Sequence, residues 1–153
     1  MIRLATRADI AQITQVLMEF MRESTYSEYV EEANPQYLNR LVFNVIYVGY
    51  IWLWLVKDES GQEKIAGLLA AVREPNVWQP KSIQLRELAW YVRPEYRGLP
   101  TGGRLFVEYC RKGDELMQAG QIRSYAIMKM ANTPAVDLER RGFRLTEHVF
   151  LKE

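Results

Sequence analysis

Apolar positions along the chain recur at helical spacing in its first third and at strand spacing in its middle. Ile2 to Ala5 reads as a short strand. Thr6-Arg7-Ala8-Asp9 then spells a capping box, a hydroxyl at the N-cap with a carboxylate three residues on, so a helix starts there. Ile10, Ile13, Val16, Leu17, Phe20 and Met21 form one buried stripe along it. Arg22 to Ala33 breaks that period: it is polar and acidic, with Glu23, Glu28, Glu31 and Glu32 interleaved with Tyr26 and Tyr29. A second helix has Asn34 as N-cap, Pro35 at its first position, Leu38, Leu41, Val42, Val45 and Ile46 on one side, and Gly49 as its stop.

From Tyr50 to Val56 the residues turn β-rich. Asp58-Glu59-Ser60-Gly61 makes a turn and Lys64 to Val72 a second apolar run, which predicts a hairpin. A loop with Pro75 and Pro80 leads to a third strand, Ile83 to Val92, ended by Pro94. Gly102 to Ala119 is helical again, with Leu105, Phe106, Tyr109, Cys110, Leu116 and Met117 on one face and Gly120 as punctuation. Ile122 to Met128 reads as a strand, Asn132 to Arg141 as a short helix opened by Thr133-Pro134, and Phe143 to Leu151 as a closing strand. The order β-α-α-β-β-β-α-β-α-β predicts an α/β fold with a mixed central sheet and helices on both faces.

Composition narrows this further. The chain of 153 residues is read as one domain, 1–153, with no repeat or linker to divide it. Its 20 Lys and Arg against 19 Asp and Glu leave a formal charge of +1, which argues against general nucleic-acid binding. The longest apolar stretch, Tyr47 to Val56, is about half of what a membrane-spanning helix needs. The N-terminus lacks the features of a secretory signal, and the single Cys makes no internal disulfide, so a reduced, cytoplasmic protein is expected.

Chemistry concentrates between the third strand of the central region and the helix after it, in Val92-Arg93-Pro94-Glu95-Tyr96-Arg97-Gly98-Leu99-Pro100-Thr101-Gly102-Gly103-Arg104. Three of the nine glycines fall here within six residues. Such a bend leaves backbone N–H groups uncovered at the positive end of a helix, which suits a phosphate or diphosphate, with Arg97 and Arg104 adding charge. The alternative is that the connection needs glycines for its turn alone. No G-x-G-x-x-G follows the first strand and no G-x-x-x-x-G-K-[ST] occurs anywhere, so neither nucleotide motif is supported. His148 stands alone, which supports neither a His-based metal site nor a Ser-His-Asp arrangement.

The strand, Pro-Glu-Tyr-Arg-Gly, Gly-rich turn and helix resemble the acyl-CoA motif [QR]-x-x-G-x-[GA] of the GNAT superfamily of N-acetyltransferases, Arg97 matching its first position and Gly102 its last. Asn132-Thr133-Pro134-Ala135 and Gly142-Phe143 are similar to that family's N-x-x-A…G-F segment. The resemblance implies acetyl-CoA as co-substrate, its pantetheine arm paired with the strand at Trp90, Tyr91 and Val92. The diphosphate would be held by the amides of Gly98, Leu99, Thr101, Gly102 and Gly103. Pro100 departs from the motif by occupying its first Gly position without an N–H. Asn132 would sit near the pantetheine, or serve only as a helix N-cap.

The implied reaction moves an acetyl group to an amine: a small molecule, a protein lysine or an N-terminus. A protonated amine must first lose a proton. Glu87, on the same strand, is the candidate base, the alternative being a strand carboxylate paired with Arg86 or Arg93. An N–H near Val92 would meet the oxyanion. The Tyr that many relatives use as the acid aligns with Leu138 here, leaving Tyr91, Tyr96 and Tyr125 as substitutes without a favourite. The acidic Glu23–Glu32 segment would favour a cationic acceptor, or is a solvated loop. Cys110, Trp52, Trp54 and Trp90 are expected inside, and Trp78 at a pocket rim. A competing expectation is a catalytically degenerate GNAT-like protein acting as a binding or structural subunit, pairing with another copy through an exposed C-terminal strand.

Overall fold

The structure, a computed structural model, describes residues 1–131 and 136–152. Its frame is a five-stranded sheet in which sequence neighbours are also spatial neighbours, from β1 (Ile2–Leu4) through β2 (Gly49–Lys57), β3 (Glu63–Pro75) and β4 (Ile83–Val92) to β5 (Ser124–Ala126). The first four strands are antiparallel and β5 runs parallel to β4, so the sheet is mixed as expected.

α1 (Ile10–Glu23) and α2 (Pro35–Val48) cover one face, and α3 (Pro100–Gln118) covers the other. Strand alternation sorts the core in two. Ile51, Leu53, Leu68, Ala70 and Tyr91 meet Ile13, Val16, Val42 and Val45 on the α1/α2 side. Trp52, Trp54, Ala66, Leu69 and Leu85 meet Leu105, Phe106, Tyr109 and Leu116 on the α3 side. The helix starts obey their sequence signals. Asp9 Oδ2 accepts from both the backbone N–H and the hydroxyl of Thr6, at 2.7 and 2.9 Å, before a 3₁₀ turn runs into α1. Asn34 Oδ1 accepts from the amides of Gln36 and Tyr37, with Pro35 in the first helical position. Among the described residues no helix is long and apolar enough to cross a membrane.

The last quarter departs from expectation. The strand anticipated over Ile122–Met128 is only Ser124–Ala126. The described part of the anticipated Asn132–Arg141 helix holds one 3₁₀ turn, Glu139–Arg141, stopped by Gly142 at φ +84°. The closing strand Phe143–Leu151 is not formed, so the strand through which a second copy was expected to pair is absent. Two physical reasons account for this: β5 offers a three-residue edge to pair with, and Glu147 and Phe150 break the alternation that Phe143, Leu145, Val149 and Leu151 otherwise keep. Leu41 and Met117, expected in the core, are partly exposed at the edges of their helical faces.

Candidate active site

β4 carries a surplus residue. Ala71 stands opposite Glu87 and Ala70 opposite Ala89, so Leu88 has no partner and the strand bulges there. β4 pairs with β5 only over Gln84–Arg86, and beyond that point the two strands part. Glu87 lies at the crotch of this fork. Its side chain follows Leu85 towards α3 and is 4% exposed, and its Oε2 accepts the Met128 amide at 3.0 Å. Burial pushes the Glu87 carboxyl up to about 7, against the smaller opposing effects of the Met128 amide and Arg86. Arg86 itself is turned away, held by both oxygens of Glu74, and Arg93 is engaged elsewhere, so Glu87 is not the ion-paired strand residue that was the alternative.

The fork holds a second group that sequence reasoning assigned to packing alone. Tyr109, fully buried on α3, donates its hydroxyl to the Ala126 carbonyl and lies 3.3 Å from that of Leu85, one carbonyl from each arm. Burial and the nearby Glu87 raise its pKa beyond the physiological range, so it stays a donor. Its helical spacing predicted a core face correctly; nothing in the sequence pairs its hydroxyl with strands far away in the chain.

Past the bulge, the edge of β4 that faces away from β3 runs open to Val92. Arg93 donates its amide to Ala66 of β3, so by alternation the peptide groups of Trp90 and Val92 face the open edge, and those of Tyr91 face β3. Of the three residues expected to pair with pantetheine, Trp90 and Val92 therefore present the backbone. The Trp90 ring stacks on Phe106 at 5.4 Å.

The bend follows at once. Gly98 adopts φ +82°, a conformation that favours glycine, and a Cβ built there would meet nothing within 4 Å. Leu99 is the N-cap of α3 and Pro100 its first residue, a position whose N–H has no helical partner, so proline fits the helix while removing one donor. The amides of Leu99, Thr101 and Gly102 precede the first helical carbonyl, although that of Gly102 also leans on the Leu99 carbonyl at 3.3 Å. Gly103 is the first residue with a helical acceptor four positions back, which makes its amide the least available of the expected set. The bend is open on its outer side, where Leu99 is half exposed and a Cβ at Gly98 or Gly103 would meet nothing within 4 Å, while Gly102 packs inward against the Val92 side chain.

Arg97 points elsewhere than the bend. Its Nε donates to the Val92 carbonyl at 2.8 Å, its terminal nitrogen to Glu23, and its guanidinium lies 5.5 Å from the Tyr91 ring centre. Tyr91 donates its hydroxyl to the other oxygen of Glu23 at 2.6 Å. Burial alone would raise the Glu23 carboxyl, but Tyr91 and Arg97 outweigh it and hold it low. One helical turn earlier, Glu19 takes Arg93 in a fork of two 2.7 Å bonds, and Arg93 also donates to the Ile65 carbonyl. These cross-links were not anticipated; the i, i+4 carboxylates were the available signal.

The acid candidates fare unequally. Leu138 packs against the α3-side core and offers no proton. Tyr91 is committed to Glu23, and Tyr125 donates to Asp114 at 2.9 Å. Tyr96 packs edge-on to Trp54. Asn132 lies outside the described residues. Trp78 is 91% exposed at a loop tip rather than on a rim of this site. An open depression of about 420 Å³ lined by Lys81, Ile83, Ile122 and Arg123 among others lies at the opposite end of β4 and shares no residue with the fork or the bend.

By sequence, no family model and no curated protein matches the chain. By structure it resembles acetyltransferases over its whole length. A possible acetyltransferase from Clostridium difficile 630 superposes with a TM-score of 0.70 at 16% identity, covering 100% of this chain and 96% of that one. A GNAT family acetyltransferase from Staphylococcus aureus gives 0.61 at 17% identity, covering 100% and 97%. The chain has the GNAT fold. An aminoglycoside acetyltransferase from an uncultured soil metagenomic sample shares that fold, with a TM-score of 0.63 at 16% identity over 99% and 95%. Within the GNAT fold, the parted β4 and β5, the bulge and the bend before α3 fall on contiguous elements, which joins the motif read at Arg97–Gly102 to the fork that holds Glu87.

Proposed function

We propose that the protein is an N-acetyltransferase that moves the acetyl group of acetyl-CoA to an amine, and that the amine is cationic. The observation that carries this reading is the juxtaposition on β4 of a buried carboxyl poised at about 7 and, one open strand edge later, an uncovered helix N-terminus. The residues present fit acetyl-CoA. The bend around Gly98 leaves room for a diphosphate, and the Leu99, Thr101 and Gly102 amides supply donors at the positive end of α3. The peptide groups of Trp90 and Val92 supply a strand edge for an amide-bearing arm.

Bound acetyl-CoA supplies an activated acyl group and a thiolate leaving group. Glu87 takes the proton of the incoming ammonium, directly or through water, its raised pKa matching that task near neutral pH. Its hydrogen bond from Met128 fixes the carboxylate where the strands part. The hydroxyl of Tyr109 satisfies the Ala126 carbonyl and so keeps the fork in shape. On the acceptor side, Tyr26 and Tyr29 are half exposed with ring centres 6.2 Å apart, in a segment that also carries Glu28, Glu31 and Glu32. Aromatic faces and carboxylates both attract cations. The likeness to an aminoglycoside acetyltransferase supports the same class, aminoglycosides being amino sugars that carry several cationic amines at neutral pH.

Calorimetric titration with CoA and acetyl-CoA, followed by a screen of polyamines, aminoglycosides and lysine peptides with labelled acetyl-CoA, tests this. Micromolar binding with label transfer to a cationic amine is expected. Binding without transfer to any amine identifies a degenerate binding subunit, for which the apolar Leu138 and the missing Pro100 donor are the structural grounds; no heat at millimolar CoA rules out both.

A further inference from the structure

Arg97 is drawn to two places that one conformation does not satisfy. Its place in the motif puts it one residue before Gly98 and two before the α3 N-cap, at the mouth of the diphosphate cradle. Its guanidinium is instead turned across the end of β4, bonded to Glu23 of α1 and to the Val92 carbonyl. The Val92 carbonyl belongs to the open strand edge on which a pantetheine arm would pair, so Arg97 closes part of that edge. The pair is not locked: the Arg97 and Glu23 side chains are 47% and 40% exposed, and water reaches both. By contrast Arg93, held by Glu19 one turn of α1 before Glu23, is 9% exposed and has three bonds, two to Glu19 and one to the Ile65 carbonyl, which makes it the permanent fastener between α1 and the end of β4.

We infer that Arg97 exchanges Glu23 and the Val92 carbonyl for the diphosphate of the incoming acyl donor, so that Glu23 acts as an internal competitor that sets the affinity of the cradle. This rests on the acetyl-CoA reading above and adds to it a residue far away in sequence. The energetics permit the exchange. A half-exposed ion pair stabilises little, whereas an arginine on a phosphate forms a charge-assisted, bidentate bond at a helix N-terminus already poor in donors because of Pro100. The exchange uncovers the Val92 carbonyl as the donor arrives. Glu23 keeps Tyr91, whose hydroxyl bond does not depend on Arg97, so α1 stays fastened while the arginine moves.

The test is a double-mutant cycle on CoA affinity measured by calorimetry. Glu23→Gln keeps an oxygen for Tyr91 and removes the charge; CoA is expected to bind about three-fold tighter, the size of effect a half-exposed ion pair carries. Arg97→Gln is expected to weaken CoA about ten-fold. In the Arg97→Gln background, Glu23→Gln is expected to change nothing. Thermal melts of each variant confirm folding, and the Arg97 Nε–H signal, followed by NMR in the unmutated protein, is expected to shift on adding CoA. Equal or weaker CoA binding by Glu23→Gln, the same three-fold gain without Arg97, or an unmoved Arg97 signal at saturating CoA would overturn the exchange while leaving the acetyl-CoA reading intact. Absence of CoA binding by the unmutated protein would overturn both.

Discussion

The Glu87 carboxylate accepts the Met128 amide across the gap where β4 and β5 separate, 3.0 Å from Oε2 to nitrogen. A side chain thus takes up a backbone donor that a continuing ladder would have satisfied. Gln at this position can accept the same bond but cannot take a proton. Glu87→Gln is therefore expected to lower turnover about 100-fold or more while CoA affinity stays within about two-fold, whereas Glu87→Ala loses both. The rate of acetyl transfer by the unmutated protein should rise with pH through about 7. Steady-state kinetics on an acceptor found in the screen checks this, and turnover unaffected by the Gln change would remove Glu87 from the chemistry.

The same carboxyl ties stability to pH. Its folded pKa is raised from 4.5 to about 7, so its favourable contribution is complete below 4.5 and is lost as pH climbs to 7, after which the curve is flat. The loss is on the order of 3 kcal/mol. Urea melts at pH 5 and pH 8 should show that difference, and Glu87→Gln should abolish it.

At the other end of the chain the sign reverses. Asp9 is lowered to about 2, chiefly by the two hydrogen bonds from Arg3, against the opposing effect of burial and with help from Thr6. Its contribution is present above 3.8 and disappears as pH falls through 2. Asp9→Asn is expected to destabilise the protein by roughly 2 kcal/mol at pH 7 and by almost nothing at pH 2, as read by acid titration of the melting temperature.

Pro100 gives α3 a rigid start and denies the cradle a donor. Pro100→Gly should tighten CoA by up to about ten-fold while lowering stability by about 0.5–1 kcal/mol through the freer unfolded chain. Titration and melting of the same sample separate the two effects.

Two glycines on α3 should respond oppositely to alanine. A Cβ on Gly113 would lie 2.5 Å from the Tyr125 ring, so Gly113→Ala is expected to destabilise by about 2 kcal/mol. A Cβ on Gly103 meets nothing within 4 Å, so Gly103→Ala should stabilise by up to about 1 kcal/mol. Equal melting temperatures for the pair would contradict the packing described.

The amino-acid pattern announced the sheet, the three helices and the bend, because each depends on local signals: the Thr6 and Asn34 caps, Pro35 and Pro100 at helix starts, and alternation from Tyr50 to Val92. Glu87 was readable as a candidate because the implied reaction needs a base and Glu87 stands on the strand that leads to the bend. Its bond to Met128, the placement of Tyr109 between two strands and the grip of Glu23 on Arg97 were not. Each joins residues separated by 17 to 74 positions, and periodicity carries no such register. The closing strand does not form because the sheet offers it only the three-residue edge of β5, which no local pattern in 143–151 reveals.

Leu88 is the surplus residue that divides one strand into two half-strands of opposite parity. Before it, Ile83 and Leu85 look towards α3; after it, Trp90 and Val92 do, although parity alone would have sent them to the other side. A strand that kept this residue but ran on without the bulge would swap the indole of Trp90 with the phenol of Tyr91 between the sheet's two faces. The phenol would then leave Glu23.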